Sequence, residues 1–212
     1  MTKRKAIHDR VLTASNKQEL MQAYADWADV YDHDLIDEMG YVAPLIASSL
    51  LKENLESNFV NILDAGCGTG LVGACLHKFG FGSIDGLDYS PAMLKRAREK
   101  QIYRKLIEAD LTAPLNISSN QYDAVICVGT FTCGHVGPEA LYELVRVTRP
   151  KGHICFTVRD QAWEEDSYHK MIKNMEEKGM WKLLAETTKN YIEQEGSECK
   201  VCLYQVTKKK TD

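Results

Sequence analysis

NILDAGCGTGLVG (residues 61–73) follows an apolar run, and its glycines at 66, 68, 70 and 73 begin where that run should end. FVNILDA (59–65) reads as a buried strand, and LVGACLHKFG (71–80) has helical spacing of apolar residues. Strand, glycine turn and helix together bring backbone N–H groups to a ligand. Gly68-Thr-Gly70-Leu-Val-Gly73 also satisfies the GxGxxG dinucleotide fingerprint, which taken alone is a weak signal.

Charge decides which ligand the loop suits. Asp64 stands two residues before Gly66, at the carboxyl edge of the strand, where it is expected to face the ligand crevice. A carboxylate there repels a pyrophosphate and favours a ligand that presents a cation. No Gly-Lys-Ser/Thr follows the loop, so a Walker-type NTPase is excluded. Asp88 ends the next apolar run, SIDGLD, where a carboxylate can accept both hydroxyls of a ribose. A ribose-bearing ligand with a cationic amino acid end satisfies both carboxylates, and S-adenosylmethionine is such a ligand.

Beyond the loop, short apolar runs alternate with helical patterns. KLIEAD, YDAVICV and HICFTV read as further strands, with SPAMLKRAREK and PEALYELVRVT as helices between them. Such alternation predicts a parallel sheet covered on both faces with right-handed crossovers. Ser90 as N-cap and Pro91 at the first helical position start one helix, and Thr148–Gly152 breaks the chain before the next strand. After Val158 the pattern changes to a helix ended by Gly179 and two β-like stretches, WKLLAETTKNYI and ECKVCLYQVT, joined closely enough for an antiparallel hairpin. Residues 1–58 read as mostly helical.

With 212 residues, 44% hydrophobic and 26% charged, the chain is expected to fold as one globular domain. A net charge of −4 argues against a nucleic-acid partner. The basic clusters at the two ends, MTKRKAIHDR and TKKKTD, read as solvated termini. No apolar run approaches the roughly 18 residues that span a bilayer, and no secretory core follows the basic start, so no membrane is expected. Seven scattered cysteines suit a reducing, cytoplasmic setting. Cys199 and Cys202 lie on a strand pattern that sends them to opposite faces, so no metal site is expected there or elsewhere. Nothing in the sequence reports on oligomeric state.

Asp64-Ala65-Gly66-Cys67-Gly68-Thr-Gly70 resembles the first motif of class I S-adenosylmethionine-dependent methyltransferases. Leu87-Asp88-Tyr89-Ser-Pro-Ala-Met93 resembles their second, with Asp88 in the ribose position. Glu108-Ala-Asp110-Leu111 resembles the segment whose carboxylate meets the adenine amino group and whose next residue lends a backbone N–H. Tyr122–Val128 resembles their fourth strand, whose end flanks the methyl donor, and Pro150-Lys-Gly152 the usual approach to the fifth. The resemblance covers roughly residues 20–160. It implies a Rossmann-like α/β fold, with a seven-stranded, mostly parallel sheet, an antiparallel C-terminal hairpin and helices on both faces. It also implies S-adenosylmethionine as cofactor and S-adenosylhomocysteine as product.

Tyr24–Tyr31 resembles the leading helix of small-molecule methyltransferases, in which a tyrosine meets the methionine carboxylate. That implies a lid formed within residues 1–58, a small-molecule acceptor, and cofactor contacts from Tyr24 and Tyr31. The same three-to-four spacing fits an amphipathic helix that merely packs on the domain. His135, in the loop after the fourth strand, is the candidate general base, because its ordinary pKa lies near neutrality. A merely solvated loop histidine is the competing reading. Arg159 could anchor an anionic substrate or pair with Asp160 or Glu164. The sequence lacks an Asn-Pro-Pro-Tyr-like tetrad after the fourth strand, which lowers, without removing, methylation of bases or glutamine. A cofactor-binding scaffold without turnover is a third reading.

Overall fold

Four consecutive buried residues form β1 (Ile62–Ala65), the central strand of the fold in a computed structural model that describes residues 3–132, 136–165 and 167–207. β1 pairs in parallel with β2 (Ile84–Asp88) on one side and β4 (Tyr122–Phe131) on the other. β3 (Lys105–Glu108) extends the sheet beyond β2, and β5 (Thr148–Arg159) lies beside β4, all in parallel. β7 (Ser197–Val206) then runs antiparallel between β5 and β6 (Trp181–Ile192). The order is β3-β2-β1-β4-β5-β7-β6, a seven-stranded sheet with the expected antiparallel C-terminal hairpin. β5 begins at Thr148, earlier than the sequence break predicts. A register shift between Tyr122 and Ala124 accommodates the Pro150 turn, where Lys151 takes a φ of 68°.

Strand residues alternate between two apolar cores, one on each face. Leu63, Ala65 and Leu87 join the first with α7 (Ala140–Val147), α8 (Asp160–Glu165) and α9 (Tyr168–Glu177). Ile62, Ile84 and Ile126 join the second with α4 (Ala43–Glu53) and α5 (Leu71–Lys78). Cys202 belongs to the first core and Cys199 to the second, as strand alternation requires. Each fully buried aliphatic side chain contributes about 1.5–3 kcal/mol, so the two faces dominate the stability.

Three helices end or begin where the predicted signals place them. α6 (Pro91–Glu99) starts at Ser90, whose Oγ accepts the Met93 N–H. α5 starts at Gly70, in a left-handed conformation with φ 95°. α9 ends just before Gly179, whose φ is 63°.

The leading segment is where the structure departs most from the sequence reading. The basic N-terminus is not a solvated tail: α1 (Lys3–Thr13) places His8 and Val11 in the interior, a stripe at helical spacing that the surrounding charges mask. α2 (Lys17–Trp27) is capped by Asn16, which accepts the Glu19 N–H, while Glu19 reaches back to the Ser15 N–H. The helix then breaks into a short α3 (Tyr31–His33) and a π-helical turn, Asp34–Glu38. Trp27 is buried, and its indole N–H donates to Asp34 at 3.0 Å, which fixes that break. α4 packs flat on β4 and β5, whereas α2 and α3 lie over the carboxyl ends of the strands. Among the described residues, no helix is long and apolar enough to cross a membrane.

Candidate functional site

A cleft open to solvent on one side lies at the carboxyl ends of β1, β2 and β4 beneath α2 and α3. In open α/β sheets this is the crevice that takes ligands, where the strand order reverses between β1 and β4. Its floor is the glycine loop. The N–H groups of Gly66 and Cys67 both donate to the Leu87 carbonyl, at 2.7 and 2.8 Å, locking the loop onto β2. Gly66 has φ 74°, and a Cβ there would stand 2.0 Å from Thr130 Oγ1 on β4. Only glycine fits that approach.

Asp88, the last residue of β2, accepts the Gly68 N–H and the Ser90 N–H, each at 2.8 Å, on different carboxylate oxygens. A carboxylate with two oxygens retains acceptor capacity beyond those two bonds. Burial pushes its carboxyl above the usual range, against the pull of those N–H groups. At the far end of the cleft, Asp110 accepts the Thr112 N–H and hydroxyl on one oxygen and the Lys17 ammonium, at 2.5 Å, on the other. Burial opposes its ionisation, but Lys17 and Thr112 prevail and hold its pKa low. Met93, Leu111 and Val128 supply apolar walls, Tyr89 an aromatic one, and Tyr24 and Tyr31 close the cleft from the leading segment. Burial drives both of those phenols' pKa values up, so both are neutral donors at neutral pH.

The fit to S-adenosylmethionine can be judged from these groups. A paired-acceptor carboxylate stands at Asp88 for a ribose, and Asp110 beside an apolar slot suits the amino edge of adenine. Backbone without Cβ at Gly66 and Gly68 lets the amino acid tail approach the loop. The donor set fits.

Eleven of the fourteen expected cofactor residues line this cleft: Tyr24, Tyr31, Gly66, Cys67, Gly68, Asp88, Tyr89, Met93, Asp110, Leu111 and Val128. Ala65 sits in the core below, and Gly70 caps α5. Asp64 requires a correction. Its side chain does not face the crevice; it is fully buried beneath the loop and accepts the Tyr103 hydroxyl at 2.6 Å. Strand alternation sends its side chain to the face opposite those of Leu63 and Ala65. His135 lies outside the described residues. Arg159 pairs with Glu195 at 2.9 Å instead of with Asp160 or Glu164.

Three contributors escaped the sequence reading. Tyr103 fills the space left by Gly70, Gly73 and Gly86; a Cβ on Gly73 would stand 2.3 Å from its hydroxyl. The paired absence of side chains was the only available signal. Lys17 and Asp32 belong to the leading segment, and their partners are distant in sequence. Asp32 accepts the Thr69 hydroxyl of the glycine loop and the Lys100 ammonium, joining lid and loop directly.

Comparison with known proteins agrees with this fold. Residues 63–156 match the family described as "Methyltransferase domain". The chain is 34% identical over 184 residues to human methyltransferase-like protein 27, covering 82% of this chain and 74% of that protein. The chain belongs to the S-adenosylmethionine-dependent methyltransferases. It is also 32% identical over 160 residues to a malonyl-[acyl-carrier protein] O-methyltransferase of Pectobacterium atrosepticum, covering 70% of this chain but only 59% of that protein. A TehB-like SAM-dependent methyltransferase of Corynebacterium glutamicum shares the fold, with a TM-score of 0.66 at 17% identity over 88% of this chain and 99% of that one.

Two expectations follow for the methyltransferase. Burial pushes the Asp64 carboxyl up to about 7, with the Tyr103 hydroxyl opposing and the Asp88 charge assisting. A carboxyl whose folded pKa exceeds its unfolded value binds more protons in the native state, so stability falls as pH rises from about 4 to about 7. Asp64→Asn should remove that slope in urea unfolding, and an identical slope in both proteins would refute the assignment. Lys17→Met should speed S-adenosylhomocysteine release about threefold at low salt, the scale of a half-exposed ion pair. Stopped-flow release should then depend less on salt in the variant than in the unaltered enzyme; equal salt dependence would count against the tether.

Proposed function

We propose that this methyltransferase modifies a small-molecule acceptor. The observation that carries the reading is the roof over the cleft: Tyr24 of α2 and Tyr31 of α3 cover the strand ends. A roofed, concave cleft suits a compact acceptor and is a poor channel for a polypeptide or a nucleic-acid strand. The relatives named for malonyl-[acyl-carrier protein] O-methylation support an acyl acceptor, here free of its carrier, although this chain spans under two thirds of the length of the Pectobacterium enzyme.

Methyl transfer from a sulfonium is an in-line displacement, and S-adenosylmethionine supplies the electrophilic methyl group. The protein's part is to align and desolvate. Asp88 would hold the ribose, Asp110 and the Leu111 N–H the adenine, and Tyr24 and Tyr31 the methionine carboxylate. Lid contacts through Lys17 and Asp32 exclude water. Where an acceptor brings a proton, His135 is the group we assign to remove it.

Titration calorimetry should show S-adenosylhomocysteine binding to the folded protein. Incubation with methyl-tritiated S-adenosylmethionine and a cell extract should then place label in the low-molecular-mass fraction. Label on protein or RNA would overturn the small-molecule reading, and binding without any transfer would point to a scaffold.

A further inference from the structure

Neither Asp64 nor Tyr103 lines the cleft, yet the two meet beneath its glycine loop. In the β1–β2 register Asp64 stands opposite Gly86, where the missing side chain leaves room beside the carboxylate. The Tyr103 ring takes that room: a Cβ on Gly86 would lie 3.1 Å from its Cδ1 and 3.0 Å from the Cys67 Sγ. The same ring comes within 3.0 Å of the Cβ position of Gly70, where α5 starts. Its hydroxyl abuts Gly73 of α5 and donates to Asp64 at 2.6 Å. Three glycines on two elements thus admit one aromatic ring, and that ring brings its donor to one buried carboxylate.

The carboxylate has little else. It is fully buried, and its Oδ1 meets no hydrogen-bond donor among the described residues. Asp88 faces it from the end of β2, as do the thiols of Cys67 in the loop, Cys75 on α5 and Cys127 on β4. Burial pushes all three thiols up, so they stay protonated and bring no charge. Lys100, which follows α6 and lies beside Gly70, is taken by Asp32 and the Thr69 carbonyl. An ionised Asp64 therefore depends on the Tyr103 hydroxyl, and a buried charge left without its donor costs more than a neutral hydrogen bond contributes.

We propose that Tyr103 is a positioning residue for the methyl donor: acting through Asp64, it sets the height at which the glycine loop meets the cofactor. This rests on the assignment of that loop to S-adenosylmethionine. The ring keeps the loop from sinking towards the sheet, while the bonds from Gly66 and Cys67 to Leu87 hold it from the side. The hydroxyl satisfies Asp64 without water. In its absence an ionised Asp64 has to be hydrated, and water drawn under the loop lifts Gly66 and Gly68 out of place. Burial pushes the Asp64 carboxyl up to about 7, and the Tyr103 hydroxyl pulls against that rise. The hydroxyl's contribution is thus fully present above that value, where Asp64 is ionised, and fades below it.

Titration calorimetry with S-adenosylhomocysteine on the full chain tests the role. Tyr103→Phe keeps the ring and its packing against the three glycines, and urea unfolding verifies the fold at each pH. Its affinity should fall about tenfold against the unaltered protein at about pH 8.5, the scale of a hydrogen bond to a charged group. At about pH 5.5 the loss should be under about threefold, because the carboxyl is then protonated. Comparing the two proteins at each pH cancels the titration of the ligand and of the other site groups. Asp64→Asn removes the charge that the hydroxyl serves, so adding Tyr103→Phe to it should cost under about threefold at the higher pH. A loss of equal size at both pH values, or one that persists in the Asp64→Asn background, would overturn the coupling through Asp64. A lowered urea midpoint with unchanged affinity would overturn the positioning role and leave Tyr103 as packing alone.

Discussion

Gly66→Ala should destabilise the fold by about 3 kcal/mol and abolish cofactor binding. The left-handed φ of 74° costs a non-glycine residue about 1–3 kcal/mol, and overpacking adds a similar amount. The added methyl would lie 2.0 Å from Thr130 Oγ1 and 3.2 Å from its Cβ, atoms on a central strand that yields little. Relief has to come from the loop, which would then lose the bonds from Gly66 and Cys67 to Leu87. Urea unfolding measures the loss. Thr130→Ala in the same chain should recover the steric part and leave the backbone part, so the double variant should fall between the two. An unchanged midpoint for Gly66→Ala alone would contradict the packing described.

Asp88→Ala should weaken S-adenosylhomocysteine binding by about 2 kcal/mol, roughly thirtyfold, the scale of lost hydrogen bonds to a charged group. Two effects combine. The ribose loses its acceptor, and the Gly68 and Ser90 N–H groups lose the carboxylate that orders the loop against the head of α6. Asp88→Asn retains one acceptor oxygen and should fall between. Titration calorimetry at neutral pH separates the three proteins, and equal affinity for the alanine variant would remove Asp88 from the ribose position.

The parts of the site that lie at strand ends were legible because local pattern encodes them. Asp88 ends one apolar run and Asp110 lies two residues past β3, and ligands of open α/β sheets bind outside the carboxyl ends of the strands. Asp64 shows the limit of that logic. Position along the strand was read correctly, but the side to which its carboxylate turns depends on strand alternation and on Tyr103, nearly forty positions away. Lid contacts were illegible for a similar reason. Lys17 and Asp110, like Asp32 and Thr69, meet only once the chain has folded. Helix α1 was missed because its charged residues outweigh a stripe as narrow as Ile7, His8 and Val11. The fold itself was readable from the alternation of apolar runs and helices. The hairpin followed from the short link near Gly196, which takes the left-handed conformation with φ 62°.

The strand order reverses between β1 and β4, and that reversal divides labour. The first half of the sheet, β1 to β3, ends beside Asp88 and Asp110, which we assign to ribose and adenine, while β4, β5 and the hairpin end in Gly129, Arg159 and Tyr191. The two groups lie on either side of the β1–β4 pairing, and Gly66 approaches Thr130 where it ends. Substitutions on the hairpin side therefore leave Asp88 and Asp110 where they stand.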